Sequence, residues 1–258
     1  MERKEAFSRL LDIMDKLREE CPWDKKQTME SLRTLTIEET YELSDAICDG
    51  NMPEIKKELG DILLHIVFYA KIATEKEAFT MKEVIDSLCE KLIYRHPHIF
   101  DNVEVKDDKE VERNWEQLKL KEKGRKKRVM EGVPSALPSL VKAMRMQDKA
   151  RGVGFDWDEK EQVWDKVEEE ISELKEEFKS GDMDKMEDEF GDVMFSLVNA
   201  ARLYDINPDD ALERTNRKFL KRFSYLEEKV IEQGRNIKDL SLAEMDSLWE
   251  EAKRDGVS

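Results

Sequence analysis

Residues 38–72 read EETYELSDAICDGNMPEIKKELGDILLHIVFYAKI, and residues 169–203 read EEISELKEEFKSGDMDKMEDEFGDVMFSLVNAARL. Laid over one another at an offset of 131, without a gap, the two stretches agree at 11 of 35 positions. Five agreements are acidic: Glu38/Glu169, Glu39/Glu170, Glu42/Glu173, Glu58/Glu189 and Asp61/Asp192. The others are Leu43/Leu174, Gly50/Gly181, Met52/Met183, Gly60/Gly191, Val67/Val198 and Ala70/Ala201. Residue usage alone would match roughly one position in fifteen. A repeat of this size is a domain-scale unit present twice, not a short solenoid repeat. Within each copy a glycine separates two helical patterns, so each copy predicts two helices running antiparallel.

The surrounding chain carries the same kind of signal. Phe7, Leu10, Leu11, Met14 and Leu17 form one apolar helical stripe that Pro22 ends. Pro53 falls in the first turn of a helix, and Asn207-Pro208 reads as a cap followed by a first-turn proline. Thr80 with Glu83 and Ser241 with Glu244 have capping-box spacing. Ten glycines and six prolines are few for 258 residues, and no segment alternates apolar with polar. The fold class expected is all-α. Residues 121–136 carry six basic and two acidic groups between two acidic stretches, and Pro134 and Pro138 mark the same region. The sequence therefore predicts a first domain over 1–120, a basic, proline-bearing linker over 121–136 and a second domain over 137–258.

Charge and hydropathy narrow the function. There are 61 acidic and 45 basic residues, a net charge of −16, so the chain lacks the basic face that nucleic acid requires. The longest apolar stretch, Ile62 to Ala70, contains His65 and is far too short for a membrane span. The beginning of the sequence has no apolar signal core, and Cys21, Cys48 and Cys89 have no Cys-x-x-Cys spacing. A cytoplasmic protein with free thiols is expected.

The repeated acids carry the chemistry. Glu39 and Glu42, and Glu58 and Asp61, are each three apart, which sets both members of a pair on one helix face. Two antiparallel helices then let four carboxylates converge. The second copy repeats the set as Glu170, Glu173, Glu189 and Asp192, with Glu38 and Glu169 at the edge. Converging carboxylates repel unless a cation lies between them, and oxygen-only ligands suit Mg²⁺ or Mn²⁺. A di-iron bundle needs Glu-x-x-His pairs, and none occurs; His65 is matched by Ser196, and His96 and His98 belong to the first copy only. P-loop and nucleophile-elbow motifs are absent. Basic pairs follow each acidic set, Lys91/Arg95 and Lys218/Arg222, at an offset of 127. Beside a bound cation they could clamp a polyphosphate. Lys185 stands opposite Glu54, and Asn199, in an apolar stretch, stands opposite Phe68; Asn199 could meet substrate or pair inside the core.

These features resemble the MazG family of nucleoside triphosphate pyrophosphohydrolases. The first copy has Cys21-Pro-Trp-Asp24, Thr36-Ile-Glu-Glu-Thr-Tyr-Glu42, Glu58-Leu-Gly-Asp61 and Arg95-His-Pro-His-Ile-Phe100. Val133-Pro-Ser-Ala-Leu-Pro138 and Val153-Gly-Phe-Asp-Trp157 follow. The second copy has Glu169-Glu-Ile-Ser-Glu173, Glu189-Phe-Gly-Asp192 and Asn216-Arg-Lys-Phe-Leu-Lys-Arg-Phe223. The resemblance implies two tandem MazG-like helical domains whose bundle is completed in a homodimer. It also implies Mg²⁺-dependent hydrolysis of ribo- and deoxynucleoside triphosphates at the α–β bond, with the C-terminal domain as main catalytic unit. Glu170, Glu173, Glu189 and Asp192 would hold metal, and Glu169 or Glu170 would take the proton of water. Lys185, Lys218 and Arg222 would hold phosphates, and Trp249 and Lys253 would approach the nucleotide. The first copy lacks equivalents of Lys185 and Asn199, so weaker activity or a structural role in dimerisation is expected of it. The acidic motif is shared with narrower pyrophosphohydrolases acting on dUTP, dCTP or phosphoribosyl-ATP, and a metal-binding scaffold without turnover is the reading from another class.

Overall fold

A computed structural model describes residues 2–107 and 128–257, together with Glu110, Val111, Asn114, Trp115 and Leu118. The start of the basic connector, residues 121–127, lies outside the described residues. The described residues are helical with no strand, and the chain divides into two compact units, Met1–Lys106 and Asp107–Ser258. None of these helices is long and apolar enough to cross a membrane.

The first unit contains α1 (Glu2–Glu20), α2 (Met29–Cys48), α3 (Met52–Glu75), α4 (Met81–Arg95) and the single turn α5 (Pro97–Phe100). Thr28 and Ser31 cap the start of α2 reciprocally, and Asn51 Oδ1 accepts from the Glu54 amide at the start of α3. Between α2 and α3 the chain reverses in three residues, with Gly50 at φ +64°, where a side chain would be strained. Thr80 and Glu83 form the expected capping box on α4. Met14, Leu32, Val67, Phe68 and Ile72 form the core, joined by Phe7, Leu10 and Leu11 from the α1 stripe. Arg18 binds this layer together. It pairs with Glu75 at 2.5 Å, donates to the Asp24 and Gln27 carbonyls, and sits 5.5 Å from the Phe68 ring centre. Those contacts hold the Cys21–Asp24 turn against α3.

The second unit contains α6 (Ser139–Arg151), α7 (Val163–Ser180), α8 (Met183–Leu203), α9 (Pro208–Glu232) and α10 (Leu242–Arg254). Gly181, at φ +79°, reverses the chain between α7 and α8, and Asp182 Oδ1 accepts from the Lys185 amide. Val163, Val167 and Ala200 are the buried centre of the α7–α8 pair. Gln147 on α6 donates to the Phe195 carbonyl at 2.9 Å, which docks α6 on α8. Asn207 caps α9, and Ser241 and Glu244 cap α10 reciprocally. Leu226, Val230 and Leu240 form a further core that seats Met245 and Leu248 of α10 on α9.

Each unit therefore presents a two-helix hairpin, α2–α3 or α7–α8, from the repeated stretch. Each hairpin also leaves an apolar row exposed. Leu59, Leu63 and Ile66 line α3, and Phe190, Met194 and Leu197 line α8 at the same offset of 131.

Candidate active site

In the first hairpin, carboxylate oxygens of Glu39, Glu58 and Asp61 all lie within 4.8 Å of one another. Glu58 is buried, at 1% exposure, and Lys57 Nζ pairs with its Oε1 at 2.6 Å. That hydrogen bond holds Glu58 below the usual carboxylate range against the effect of burial. Its other oxygen, Oε2, is buried without a hydrogen-bond partner. Glu39 is pushed up, first by burial and then by the charges of Asp61, Glu42 and Glu58. Glu42 is exposed and acts on the group through its field.

The second hairpin gathers Glu170, Glu173 and Glu189, again with oxygens within 4.8 Å. Glu170 is buried, Glu189 half-buried and Glu173 exposed. Lys166, on α7 four residues before Glu170, pairs with it at 2.8 Å and with Glu169 at 3.1 Å. Both carboxylates hold the Lys166 ammonium above its ordinary range. Glu189 is pushed up by burial and by Glu173, Asp192, Glu170 and Glu177, in that order. Its Oε2, like that of Glu58, is buried and unpartnered. Asp192 is exposed and reaches Glu189 electrostatically. Two positions are thus common to both triads, Glu39/Glu170 and Glu58/Glu189. The third member is Asp61 in one hairpin and Glu173 in the other.

Apart from Lys185, the basic and aromatic candidates of the second unit lie on α9 and α10. Arg222 Nε donates to the Val257 carbonyl at 3.0 Å, and its guanidinium lies 5.9 Å from the Trp249 ring centre. Phe219 meets Trp249 at 5.2 Å between ring centres, tilted by 52°. Lys253 is exposed and pairs with Glu250 at 2.5 Å. Lys218 lines a shallow groove on α9 with Arg214, Arg217 and Lys221. Lys185 is exposed in the first turn of α8. Asn199 accepts through Oδ1 from Arg202 Nε at 3.1 Å and Nη2 at 2.8 Å. Arg202 in turn holds Asp156 through both terminal guanidinium nitrogens. The Asn199 carbonyl is therefore engaged, and its amide nitrogen is what it can offer a substrate. In the first unit Lys91 and Arg95 lie one turn apart on α4.

Residues 27–100 and 159–226 each match the MazG nucleotide pyrophosphohydrolase domain. The chain belongs to the MazG family. It is 45% identical over 250 residues to a Thermotoga maritima protein described as nucleoside triphosphate pyrophosphohydrolase/pyrophosphatase MazG, covering 96% of this chain and 95% of that one. It is 38% identical over 258 residues to an Escherichia coli nucleoside triphosphate pyrophosphohydrolase, covering 97% and 98%. A Bacillus subtilis protein, YabN, is 44% identical over 251 residues, 96% of this chain and 51% of that one. The two MazG segments contain both carboxylate triads and the Lys91/Arg95 and Lys218/Arg222 pairs. Trp249 and Lys253 fall beyond the second segment.

The two clamping lysines, Lys57 and Lys166, are not evident from the repeat, because they do not occupy matched positions. Only Lys166 leaves a local signal, since it precedes Glu169 and Glu170 by three and four residues on one helix face.

Proposed function

We propose that this MazG-type pyrophosphohydrolase cleaves ribo- and deoxynucleoside triphosphates between the α and β phosphates, releasing nucleoside monophosphate and pyrophosphate with Mg²⁺ bound in the second unit. The observation that carries the reading is a buried carboxylate oxygen without a partner at the same repeat position in both units, Glu58 Oε2 and Glu189 Oε2. A buried, unpaired carboxylate oxygen beside further carboxylates is costly, and a hard cation relieves that cost. The donor set is all oxygen, which fits Mg²⁺, with Mn²⁺ as a substitute.

Glu170, Glu173, Glu189 and Asp192 would hold the metal, and Glu39, Glu42, Glu58 and Asp61 would do so in the first unit. The metal would activate water and offset charge on the triphosphate. Glu169 lies beside the triad with Lys166 and is the nearby carboxylate suited to take the proton of water; Glu170 is the alternative. Lys185, Lys218 and Arg222 would bind phosphate oxygens and stabilise the charge on departing pyrophosphate. Trp249, Lys253 and the Asn199 amide would meet the rest of the nucleotide. We assign the domains to 1–120 and 137–258, joined by 121–136, in a cytoplasmic homodimer. The matched apolar rows on α3 and α8 support the dimer, because exposed apolar rows on paired helices are faces that a second copy can cover.

The test is product analysis with Mg²⁺ and eight ribo- and deoxynucleoside triphosphates. Monophosphate with pyrophosphate across several bases is expected. Diphosphate with phosphate would overturn the bond assignment, and response to a single nucleotide would favour a narrow specificity. Light scattering after gel filtration should give twice the chain mass; a monomeric mass would remove the dimer.

A further inference from the structure

Helix α10 carries Trp249 and Lys253, and its grip on α9 changes character along its length. Its first turns rest on an apolar core, with Met245 and Leu248 against Leu226 and Val230. Its last turns are tied by polar contacts. The Tyr225 hydroxyl, on α9, lies 2.8 Å from Glu251 Oε1 and 2.8 Å from Asp255 Oδ2. Two residues beyond Asp255, the Val257 carbonyl accepts from Arg222 Nε, and the Val257 amide folds back onto the Ala252 carbonyl at 3.0 Å. Arg222 lies three residues before Tyr225, one turn away on the same helix. The hydroxyl therefore holds the end of α10, and the short segment folded back onto that end carries the carbonyl that meets the arginine.

We infer that Tyr225 is a positioning residue for the nucleotide edge of the second unit: by holding Glu251 and Asp255 it sets the end of α10, and through Val257 it aims Arg222 beside Trp249. The inference rests on the proposed phosphate role of Arg222. A hydroxyl has one proton, so it donates to one carboxylate at a time and keeps both within reach. The two carboxylates push the phenol's titration far above its ordinary range, first through the Asp255 hydrogen bond and then that of Glu251. Lys229, 5.3 Å from the Tyr225 ring centre, steadies the ring from α9 itself. The guanidinium gains from this arrangement. With Nε committed to Val257 and its carbon 5.9 Å from the Trp249 ring centre, the Arg222 guanidinium is held at two points, and a fork held in place is what bidentate phosphate binding needs.

The experiment compares Tyr225→Phe, Arg222→Ala and the double variant of the full chain, measuring kcat, KM, helical content and melting temperature. Tyr225→Phe keeps the ring and removes the hydroxyl. Its expected effect is a KM raised about five- to tenfold with kcat within about twofold, the size of one lost hydrogen bond. Arg222→Ala should raise KM further, and adding Tyr225→Phe to it should change KM little, because the tyrosine acts through the arginine. Asp255→Asn, a milder change to the same contact, should move KM in the same direction. A wild-type KM in Tyr225→Phe beside a raised KM in Arg222→Ala overturns the inference and leaves the phosphate site standing. A wild-type KM in both overturns the inference together with the reading under it. A Tyr225→Phe effect that persists undiminished in the Arg222→Ala background, with a lowered melting temperature, reduces Tyr225 to a structural contact and also overturns it.

Discussion

The α2–α3 and α7–α8 hairpins are built on one template, yet they neutralise their carboxylates from opposite sides. In the first, Lys57 comes from α3 and grips Glu58, the residue that also carries the unpartnered oxygen. In the second, Lys166 comes from α7 and grips Glu170, leaving Glu189 without a lysine and pushed up by its neighbours. Positions 58 and 189 are equivalent by repeat, and opposite in electrostatic state. Backbone and acid spacing were kept between the copies, while the compensating cation was placed independently in each. A carboxylate already satisfied by an ammonium has less to gain from a metal ion than one held only among like charges. The difference therefore points to the second hairpin as the stronger cation site.

The largest effect that can break this comparison is on turnover. Glu189→Gln should lower kcat by about a thousandfold or more, the scale expected when metal-held charge stabilisation is lost. Glu58→Gln should lower it less than about twofold. Both variants should keep their helical content by far-UV circular dichroism. Equal losses in steady-state assays would make the hairpins equivalent in function and sink the distinction.

A second contrast concerns stability. Lys71 and Arg202 are equivalent at the offset of 131, and each ties its hairpin to an earlier segment. Lys71 holds Asp15 at 2.7 Å with the acid's side chain 62% exposed, whereas Arg202 holds Asp156 with side-chain exposures of 12% and 23%. Burial acts to raise Asp156, and the Arg202 hydrogen bonds with the Trp157 amide outweigh it, so this acid stays below its ordinary range. Removing one member of a largely buried pair strands the other. Arg202→Met should cost about 3 kcal/mol in denaturant unfolding, and Lys71→Met less than about 1 kcal/mol. Similar costs would mean that the two ties are equally solvated.

How far the sequence could be read follows from the same residues. The helices, the Gly50 and Gly181 reversals and the Thr80/Glu83 and Ser241/Glu244 boxes were legible, because each is set by neighbours within four residues along the chain. The convergence of Glu39 with Glu58, and of Glu170 with Glu189, was legible through the repeat and the antiparallel turn. Which acids close each triad, Asp61 in one and Glu173 in the other, was not, since three-residue spacing sets both acids of a pair on one face without fixing which of them reaches the facing helix. Nor was the Arg202 hold on Asp156, or the Tyr225 clasp on α10, because those partners meet through tertiary packing rather than periodicity.

The opposite states of positions 58 and 189 also give opposite pH signatures in metal-free protein. Glu58 is held below its usual range, so its contribution to stability is present above the unfolded pKa and fades as pH falls through the folded value. Glu189 is raised, so its contribution is full below the unfolded pKa and is lost as pH rises through the folded value. In EDTA at neutral pH, Glu58→Gln should therefore lower the melting temperature and Glu189→Gln should raise it. Both differences should shrink on acidification. Adding Mg²⁺ should stabilise the wild type and erase the advantage of Glu189→Gln. Shifts of one sign in both variants would show that the lysine placement has no energetic consequence.

The smallest contrast lies in the two capping boxes, which share chemistry and differ in one partner. Replacing Thr80 or Ser241 by alanine should cost about 1 kcal/mol in each case. Glu83 is held low chiefly by the Thr80 side chain and amide. Glu244 receives the Ser241 amide and also pairs with Arg235 at 2.9 Å, which brings its pKa to about 2. A depressed carboxylate stabilises above its unfolded pKa and stops doing so as pH falls through the folded one. Glu244 should accordingly support α10 down to a pH near 2, and Glu83 should release α4 earlier in an acid titration followed by hydrogen exchange at the two helix starts. Removing the arginine with Arg235→Met should bring the α10 transition up toward that of α4. If it does not move, the amide and hydroxyl of Ser241 alone set the Glu244 titration, and the two boxes are the same device.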